Sequence, residues 1–372
     1  MRILVDYRPA LRDRTGVGEY IHELVRAYAA AHPGEMAVFS SSWKDRPPPG
    51  LAADLGARVV DRRIPVRMLN QLWHRAEWPP VEMLAGDCDV VHAAHPLLIP
   101  ARRAAQVVTI HDLFFLSQPD QIRGEIRRDY PALAPAHARR ADAIVTSTEH
   151  GKHLVVERLG AAADRVYVCP PGAPSWRTLG AQPNVPRDGC VLFVGTLEPR
   201  KNIGALLDAY ALLLQRGRTM PPLVLAGRAT PHADAWLARI AQPPLAGHVR
   251  HLGYVAHDDR ERLYASARVL VLPSLDEGFG LPALEAMSAG VPVVASNRGS
   301  LPEVVSSGGM LVDPTQVEAL ATALERVIAD DDVAKEWGRA GLARARAFTW
   351  AGSAATLRRA YTDAIARRRD RH

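Results

Sequence analysis

The sequence predicts an α/β protein built from two doubly wound, Rossmann-like domains. Short apolar runs alternate with helical patterns along the whole chain, and this alternation is typical of parallel sheets covered by helices. The chain has 372 residues, which is too long for one ordinary core, so two domains are expected. A segment rich in proline and glycine, residues 170–189, separates two sets of these patterns and has the composition of a linker.

The elements follow from short apolar runs for strands and from 3.6-residue periodicity for helices. Strands are predicted at Ile3–Asp6, Ala37–Ser40, Arg58–Val60, Val90–His92, Val107–Ile110, Ala143–Thr146, Val166–Val168, Val191–Val194, Leu223–Ala226, Val249–Leu252, Val269–Leu272, Val293–Ala295 and Met310–Val312. Helices are predicted at Gly18–Ala31, Met68–Leu84, His150–Leu159, Ile203–Leu214, Ala233–Ala241, Asp258–Ala265, Pro282–Ala289 and Val317–Ala329.

These elements divide the chain into three parts. We expect an N-terminal domain over residues 1–175, a C-terminal domain over residues 188–346, and a final amphipathic, basic helix within residues 347–372. Ligands of doubly wound sheets bind beyond the carboxyl ends of the strands. The expected binding site is therefore a central cleft between two facing domains.

The composition narrows the classes of function. The formal charge of +6 suits an anionic ligand or an anionic membrane surface, although an arginine-rich composition without any partner gives the same charge. No stacking-aromatic module or recognition helix indicates a nucleic-acid binder.

The three cysteines form no C-x-x-C pair, so neither a zinc site nor a disulfide framework is predicted. With no signal segment or apolar membrane span in sight, we expect a cytoplasmic protein.

The most informative segment is residues 277–296, in which Glu277 and Glu285 stand eight residues apart. Pro282 suits the first turn of a helix, and Gly290 suits the position after its end. Glu277 is thus placed on a loop and Glu285 in the first turns of a short helix. The free backbone amides at such a helix start favour an anion. Two acids beside an anion site suggest a ligand with phosphate and hydroxyl groups, such as a nucleotide sugar.

Three further segments accompany this one. They are Thr15-Gly16-Val17-Gly18, Ile110-His111-Asp112-Leu113, and Gly195-Thr196-Leu197-Glu198-Pro199-Arg200-Lys201-Asn202. Together with residues 277–296 they resemble the motifs of retaining family 4 glycosyltransferases, which have the GT-B fold. The resemblance implies an acceptor-binding N-terminal domain, a donor-binding C-terminal domain and a last helix that crosses back onto the N-terminal domain.

The resemblance assigns roles to the charged residues. It implies that Glu285 accepts hydrogen bonds from the donor's ribose hydroxyls, since a carboxylate suits a cis-diol. It implies that Glu277 contacts hydroxyls of the transferred sugar, and that Arg200 and Lys201 neutralise the departing diphosphate. Each role has an alternative that involves no ligand. Glu285 would then be an acid at a helix N-terminus that the helix dipole favours, and Arg200 and Lys201 would be solvent-exposed surface residues. In the family the leaving phosphate can itself take the acceptor's proton, which gives retention without an enzyme nucleophile.

Glycines and backbone groups complete the expected donor site. By the resemblance, the loop of Gly16 and Gly18 closes over the donor, although a tight turn would use the same glycines. Backbone amides of Phe279, Gly280 and Leu281 would meet phosphate or sugar. Gly227, Tyr254 and Val255 would border the nucleobase.

His111 is the candidate catalytic residue of the first half, beside Glu277, Arg200 and Lys201. It follows the strand Val107–Ile110, at the ligand edge of a parallel sheet. The resemblance places it near the transferred sugar, where a histidine can hydrogen-bond a hydroxyl or act as a base. A structural His–Asp turn is the alternative.

Other motifs point away from rival chemistries. The full G-x-G-x-x-G fingerprint is absent because residue 21 is isoleucine, and no phosphate-binding G-x-x-x-x-G-K-[ST] loop occurs. Asp87-Cys88-Asp89 nominally matches a metal-binding D-x-D motif, but we predict a turn there and no metal or other cofactor. His92 and His95 lack further ligands in sequence range, so we expect them to line the cleft.

The predicted activity is transfer of a hexose from a nucleotide sugar to a hydroxyl of a glycan or glycolipid, with retention. Tyr7-Arg8-Pro9-Ala10-Leu11 and the Ile-His-Asp-Leu segment resemble bacterial mannosyltransferases of polysaccharide assembly, which favours GDP-mannose. UDP-glucose and a dTDP-deoxysugar remain alternatives, as do a sugar-nucleotide epimerase and a non-catalytic nucleotide-sugar-binding protein.

Cations and tryptophans within residues 62–78, with further arginines in 121–140, suggest peripheral docking on the inner face of the membrane. An ordinary solvated helix is the alternative.

Overall fold

The computed structural model describes residues 1–11, 16–117 and 124–371, with the backbone alone described at residues 124–126 and 257–258. The chain folds into two compact units: unit 1 is Met1–Gly172 with Thr349–His372, and unit 2 is Ala173–Phe348. The chain thus leaves unit 1 after Gly172 and returns to it at Thr349. Each unit contains one parallel sheet with helices packed against it, which confirms the predicted α/β class.

Unit 1 is built on the strand order β3-β2-β1-β4-β5-β6-β7. The strands are β1 (Ile3–Asp6), β2 (Met36–Ser41), β3 (Arg58–Arg62), β4 (Val90–Ala93), β5 (Ala105–Thr109), β6 (Ala143–Thr146) and β7 (Val166–Val168). Its helices are α1 (Gly16–Ala31), α2 (Leu51–Leu55), α3 (Val66–Ala76), α4 (Val81–Ala85), α5 (Phe114–Ser117), α6 (Gly124–Arg140), α7 (Glu149–Leu159) and α15 (Trp350–Asp370).

Unit 2 has the strand order β10-β9-β8-β11-β12-β13. The strands are β8 (Cys190–Val194), β9 (Leu223–Ala226), β10 (Val249–Gly253), β11 (Ala267–Leu272), β12 (Val293–Ser296) and β13 (Met310–Val312). Its helices are α8 (Ile203–Gln215), α9 (Asp234–Ile240), α10 (His257–Ala265), α11 (Leu281–Ser288), α12 (Leu301–Val305), α13 (Val317–Ala329) and α14 (Asp331–Ala345).

The strands are apolar because both faces of each sheet are covered. In unit 2, β11 is buried at every residue and pairs in parallel with β8 and β12. In unit 1, β1 pairs in parallel with β2 and β4, so that Val5 lies opposite Val38 and His92. Strands covered on two faces show continuous apolar runs rather than alternation, which is why these runs predicted the strands within one or two residues.

The last helix, α15, belongs to the core of unit 1. Leu357, Ala360, Tyr361 and Ala364 are buried among residues of α1 and of the sheet. Tyr361 also hydrogen-bonds His92 Nδ1 at 2.8 Å. The tail is therefore not a solvated appendage but an integral part of the unit that contains the N-terminus.

One helix prediction was wrong. The sequence suggested a continuous helix over Met68–Leu84, but the structure has α3 up to Ala76 and a separate α4 from Val81. The break falls at Pro79 and Pro80, which remove backbone donors and restrict the preceding residues to extended conformations. The apolar periodicity continues across the break, and so it concealed the stop.

Candidate functional site

The carboxyl edge of the unit 2 sheet collects most of the predicted donor-binding residues. Gly195, Arg200 and Lys201 follow β8. Gly227 follows β9, Tyr254 follows β10 and Glu277 follows β11. Because β8 lies between β9 and β11 in the sheet, these segments emerge side by side at the edge where ligands bind in such folds.

Glu277 forms the centre of a buried charged cluster. Its side chain accepts from the Lys201 ammonium at Oε1, from Ser274 Oγ at 2.7 Å, and from Arg200 Nη1 at 3.3 Å on Oε2. Glu277 and Lys201 are each 6% exposed. The sequence analysis assigned Glu277 to the sugar and Arg200 and Lys201 to the diphosphate. In the structure the three side chains are bonded to one another in a single cluster.

Electrostatics keep this cluster ionised. Burial raises the pKa of Glu277, but the charges of Lys201 and Arg200 outweigh burial and hold that pKa below its usual value. Burial pulls the pKa of Lys201 down, while the ionised Glu277 favours the ammonium. The mutual attraction of Glu277 and Lys201 therefore favours the ionised pair. Arg200 also pairs with Glu198 at 2.7 Å, so two carboxylates balance the two cations.

Glu285 lies on α11, the short helix on which the sequence placed it, and the structure shows that it is buried. Its Oε1 accepts from Arg260 Nη1 at 2.7 Å, and its Oε2 accepts from the Tyr264 hydroxyl at 2.6 Å. Both partners belong to α10. The predicted ligand residue is thus held by two side chains that no sequence motif had singled out.

The start of α11 presents backbone rather than side chains. Gly280 has φ of +92°, and a Cβ there would stand 2.5 Å from Leu301 Cδ2, so glycine is required. The Phe279 ring is turned into the core, 5.7 Å from the ring of Phe348. Leu281 is the first residue of the helix. Residues 279–281 therefore have backbone amides at a helix N-terminus, which favours an anionic ligand.

The expected nucleobase region lies at the ends of β9 and β10. Gly227 donates its backbone N–H to the carbonyl of Gly253 at 2.7 Å. A Cβ at Gly227 would overlap the carbonyl oxygen of Gly195, and its φ is +156°. Tyr254 is 41% exposed and its ring lies under the Arg228 guanidinium at 4.7 Å. Val255 packs against the core of unit 2.

The remaining predicted residues lie in unit 1. Helix α1 begins at Gly16, which has φ of +36°, and Gly18 is buried in its first turn; Thr15 of the same motif lies outside the described residues. His111 follows β5 at the carboxyl edge of that sheet. Asp6, at the end of β1, pairs with Arg8 at 2.8 Å and with His95 at 3.4 Å.

His111 combines burial with an unused nitrogen. It hydrogen-bonds the backbone of Ala94, and burial lowers its pKa to about 4. Its buried Nε2 has no hydrogen-bond partner among the described residues. The ring nitrogen bonded to Ala94 is therefore Nδ1, which donates to a carbonyl. In this tautomer Nε2 is a lone-pair acceptor, suited to a ligand hydroxyl.

Two other sequence motifs have structural partners. Asp89 of the D-x-D match accepts from the Arg2 backbone N at 2.8 Å and from Arg2 Nη2 at 3.2 Å. His92 bonds Tyr361 and Thr109 inside unit 1, so the prediction that it lines a cleft was wrong. Within the described ranges, no group of three or more His, Cys, Asp or Glu side chains is arranged to hold a metal ion.

Sequence reasoning missed Arg260, Tyr264, Ser274 and Ser300. Ser300 Oγ donates to the backbone carbonyl of Glu277 at 2.8 Å and so fixes the loop that carries this acid. None of the four belongs to a motif with recognisable chemistry. The one available signal is the spacing of Arg260 and Tyr264, which places both on one face of a helix.

Two parallel sheets with these strand orders, and a cluster of charged residues at the carboxyl edge of the second sheet, are typical of one class of protein, the GT-B glycosyltransferases. Comparison with known families agrees: residues 14–177 match Glycosyltransferase Family 4, and residues 179–344 match Glycosyl transferases group 1. The chain belongs to this family of glycosyltransferases and is an enzyme of that class.

Relatives and solved structures support this placement. The chain is 32% identical over 371 residues to the O-antigen chain mannosyltransferase B of Escherichia coli, covering 94% of this chain and 96% of the relative. Sucrose-phosphate synthase from Thermosynechococcus elongatus has a TM-score of 0.77 at 22% identity and covers 98% of this chain and 100% of its own. Anabaena HepE, solved with UDP and glucose, has a TM-score of 0.71 at 20% identity, covering 96% and 98% of the two chains. These structures share the fold.

Over the described residues, none of the helices has both the length and the apolar composition that a bilayer crossing requires.

Proposed function

We propose that the enzyme transfers mannose from GDP-mannose to a hydroxyl of a glycan or glycolipid, with retention at the anomeric carbon. The observation that carries the proposal is the buried cluster of Glu277, Lys201 and Arg200 at the carboxyl edge of the unit 2 sheet. Glu277 also lies shortly before the N-terminus of α11 in the sequence. The choice of mannose rests on the relative named as an O-antigen chain mannosyltransferase, which matches along nearly the whole chain.

The cluster suits a departing diphosphate. A lysine ammonium has three donor hydrogens, and the bond to Glu277 uses one of those of Lys201. Arg200, which is paired with Glu198 and Glu277, adds a second positive charge beside it. Glu277 holds the two cations in place and offers its remaining lone pairs to sugar hydroxyls. Charge that develops on the leaving phosphate then meets donors that are already oriented. No metal ion and no other cofactor enters this proposal.

Transfer with retention balances without an enzyme nucleophile. The acceptor oxygen forms a bond to the anomeric carbon on the face from which the phosphate departs. The carbon–phosphate-oxygen bond breaks, its electron pair stays on the nucleoside diphosphate, and that phosphate takes the acceptor's proton. His111 Nε2 accepts a hydrogen bond from a hydroxyl of the sugar or the acceptor.

A panel of nucleotide sugars tests the donor. Ligands of the native state raise its apparent stability by RT ln(1 + [L]/Kd), about 2.7 kcal/mol at a hundredfold excess over Kd. We expect GDP-mannose to raise the melting temperature more than UDP-glucose or a dTDP-deoxysugar does. A larger shift of the melting temperature with UDP-glucose would show that UDP-glucose, and not GDP-mannose, is the donor. No shift with any of the three nucleotide sugars would contradict the assignment of the donor site. Conversion of GDP-mannose to an isomer without acceptor would indicate an epimerase instead.

We also propose that unit 1 docks on an anionic membrane surface. Trp43, Met68, Trp78 and Met83 are exposed by 70%, 50%, 53% and 55%, and Arg63 and Arg67, which lie close to Met68 in the sequence, are exposed as well. Apolar side chains beside cations suit a lipid interface. We expect cosedimentation with phosphatidylglycerol vesicles but not with phosphatidylcholine, and weaker binding for Trp78→Ser than for Leu252→Ser in unit 2. Equal binding of all variants, or none by the wild type, would contradict docking.

A further inference from the structure

The carboxylate of Glu285 is gripped by two side chains of one helix. Arg260 Nη1 lies 2.7 Å from Oε1, and the Tyr264 hydroxyl lies 2.6 Å from Oε2. Arg260 and Tyr264 are four residues apart on α10, so they project from the same face, one turn apart. Each oxygen of the carboxylate therefore has its own donor, and rotation of the carboxylate would break both bonds.

Tyr264 is fixed more firmly than an ordinary surface partner. It is fully buried. Burial raises its pKa well above the usual value, and the neighbouring Glu285 carboxylate raises it further. The phenol therefore stays protonated and donates to Glu285. Its backbone is fixed as well, because Asn184 Nδ2 donates to the Tyr264 carbonyl at 3.0 Å.

The ring of Tyr264 is connected to α11 by a second route. Its centroid lies 5.6 Å from that of Trp176, and Trp176 Nε1 donates to Ser288 Oγ at 2.8 Å. Ser288 Oγ in turn donates to the backbone carbonyl of Glu285 at 2.8 Å. The side chain of Glu285 is thus held by Arg260 and Tyr264. Its backbone carbonyl is held by Ser288, which is bonded to the tryptophan beside Tyr264.

This arrangement fixes the direction of the lone pairs that remain. A carboxylate has about four acceptor positions, of which Arg260 and Tyr264 take two. The Glu285 side chain is 10% exposed, so only a small part of it is accessible to a ligand. A cis-diol needs two acceptor directions at once, and a freely rotating carboxylate would lose entropy on providing them.

We propose that Tyr264 and Arg260 are positioning residues, which orient the Glu285 carboxylate for the ribose diol of the donor nucleotide. The inference rests on the proposed function, since it assumes that Glu285 meets the ribose. It goes further by assigning the affinity for the diol to a helix outside the donor motif. Neither residue touches the ligand; both act through Glu285.

The test compares nucleotides with and without the diol. Calorimetry gives Kd values of the wild type for GDP and 2′,3′-dideoxy-GDP, and for UDP and its dideoxy analogue. The pair of nucleotides that binds more tightly is then used for all variants. We expect the wild type to prefer the ribonucleotide by roughly tenfold or more, as for hydrogen bonds to a charged group. Tyr264→Phe keeps the ring and removes only the hydroxyl. It should weaken ribonucleotide binding roughly fivefold to tenfold while leaving the dideoxynucleotide almost unchanged.

A matched control separates positioning from stability. Tyr210 is equally buried in unit 2, and its hydroxyl donates to the Pro221 carbonyl at 2.7 Å, away from the acids. Tyr210→Phe should leave the preference for ribose intact, and Arg260→Lys should retain part of it. A Tyr264→Phe variant that keeps the wild-type preference, or loses both nucleotides equally, overturns the positioning role alone. A wild type without any preference, or without binding of either pair, overturns the proposed ribose contact of Glu285 and this inference with it.

Discussion

Lys201 and Glu277 form a buried ion pair although they are 76 residues apart in the sequence. One residue follows β8 and the other follows β11, and these strands are neighbours in the sheet. The loops are also joined directly, because Leu275 N donates to the Arg200 carbonyl at 2.7 Å. The cation–acid cluster is therefore a property of the sheet order, and it gives the site both its charge balance and its rigidity.

This pair predicts the behaviour of Lys201→Ala. Removal of one partner leaves a buried carboxylate without its ammonium, which costs about 3–5 kcal/mol of the free energy of unfolding. We expect Lys201→Ala to lose transfer and, because the pair is buried, to lose much of its stability as well. Urea denaturation and a transfer assay measure the two effects.

Two comparisons sharpen that result. The double variant Lys201→Ala/Glu277→Ala should recover part of the lost stability but none of the activity. Arg187→Ala, which breaks a pair with Asp331 from a side chain that is 83% exposed, should cost at most about 1 kcal/mol. Similar losses in Lys201→Ala and Arg187→Ala would contradict the buried character of the first pair.

Gly280 is predicted to tolerate no side chain. Gly280→Ala places a Cβ 2.5 Å from Leu301 Cδ2 and imposes strain at φ of +92°, so the Leu301 side chain or the start of α11 must shift. We expect a loss of about 1–3 kcal/mol in stability and weaker binding of nucleotide. Gly217→Ala is the control, because φ there is +70° but no atom lies within 4 Å of the added Cβ. Unchanged nucleotide affinity in Gly280→Ala would separate this turn from the ligand.

His111 is predicted to be a neutral acceptor at physiological pH. Its folded pKa of about 4 lies below the ordinary value near 6.5, because burial disfavours the imidazolium. The unfolded chain therefore binds this proton first, and the stability due to His111 is full above pH 6.5 and declines as the pH falls towards 4. The shift corresponds to roughly 3 kcal/mol.

Nitrogen NMR of labelled histidines checks this prediction. The His111 resonance should titrate with a midpoint near 4 and show an unprotonated Nε2 at pH 7. His92, whose pKa burial lowers to about 3, should also titrate below the ordinary range. A His111 midpoint near 6.5, or protonation at Nε2, would contradict the tautomer on which its acceptor role depends.

The sequence predicted the sheets better than it predicted the helices. Apolar runs identify buried parallel strands because nothing polar is tolerated on either face. Helix α14, with Asp331, Lys335 and Glu336 among its residues, shows too mixed a pattern to be recognised. The α3–α4 break at Pro79 and Pro80 was hidden by an apolar periodicity that continued through it.

The site was predictable in its parts but not in its contacts. Glu277, Glu285, Arg200 and Lys201 could be singled out because they stand in recognisable motifs. Their pairing could not be predicted, since it depends on which strands become neighbours. Arg260 and Tyr264 carry no motif at all, and only the packing of α10 against α11 brings them to Glu285.

The configuration of the transferred sugar decides whether the proposed reaction is correct. The enzyme is incubated with GDP-mannose and octyl α-mannopyranoside, and the one-bond carbon–proton coupling at the new anomeric carbon is read by NMR. GDP-mannose is an α-linked donor, so we predict an α-mannosyl product that depends on Glu277 and Lys201. A β-linked product, or equal transfer by Lys201→Ala, would contradict the proposal.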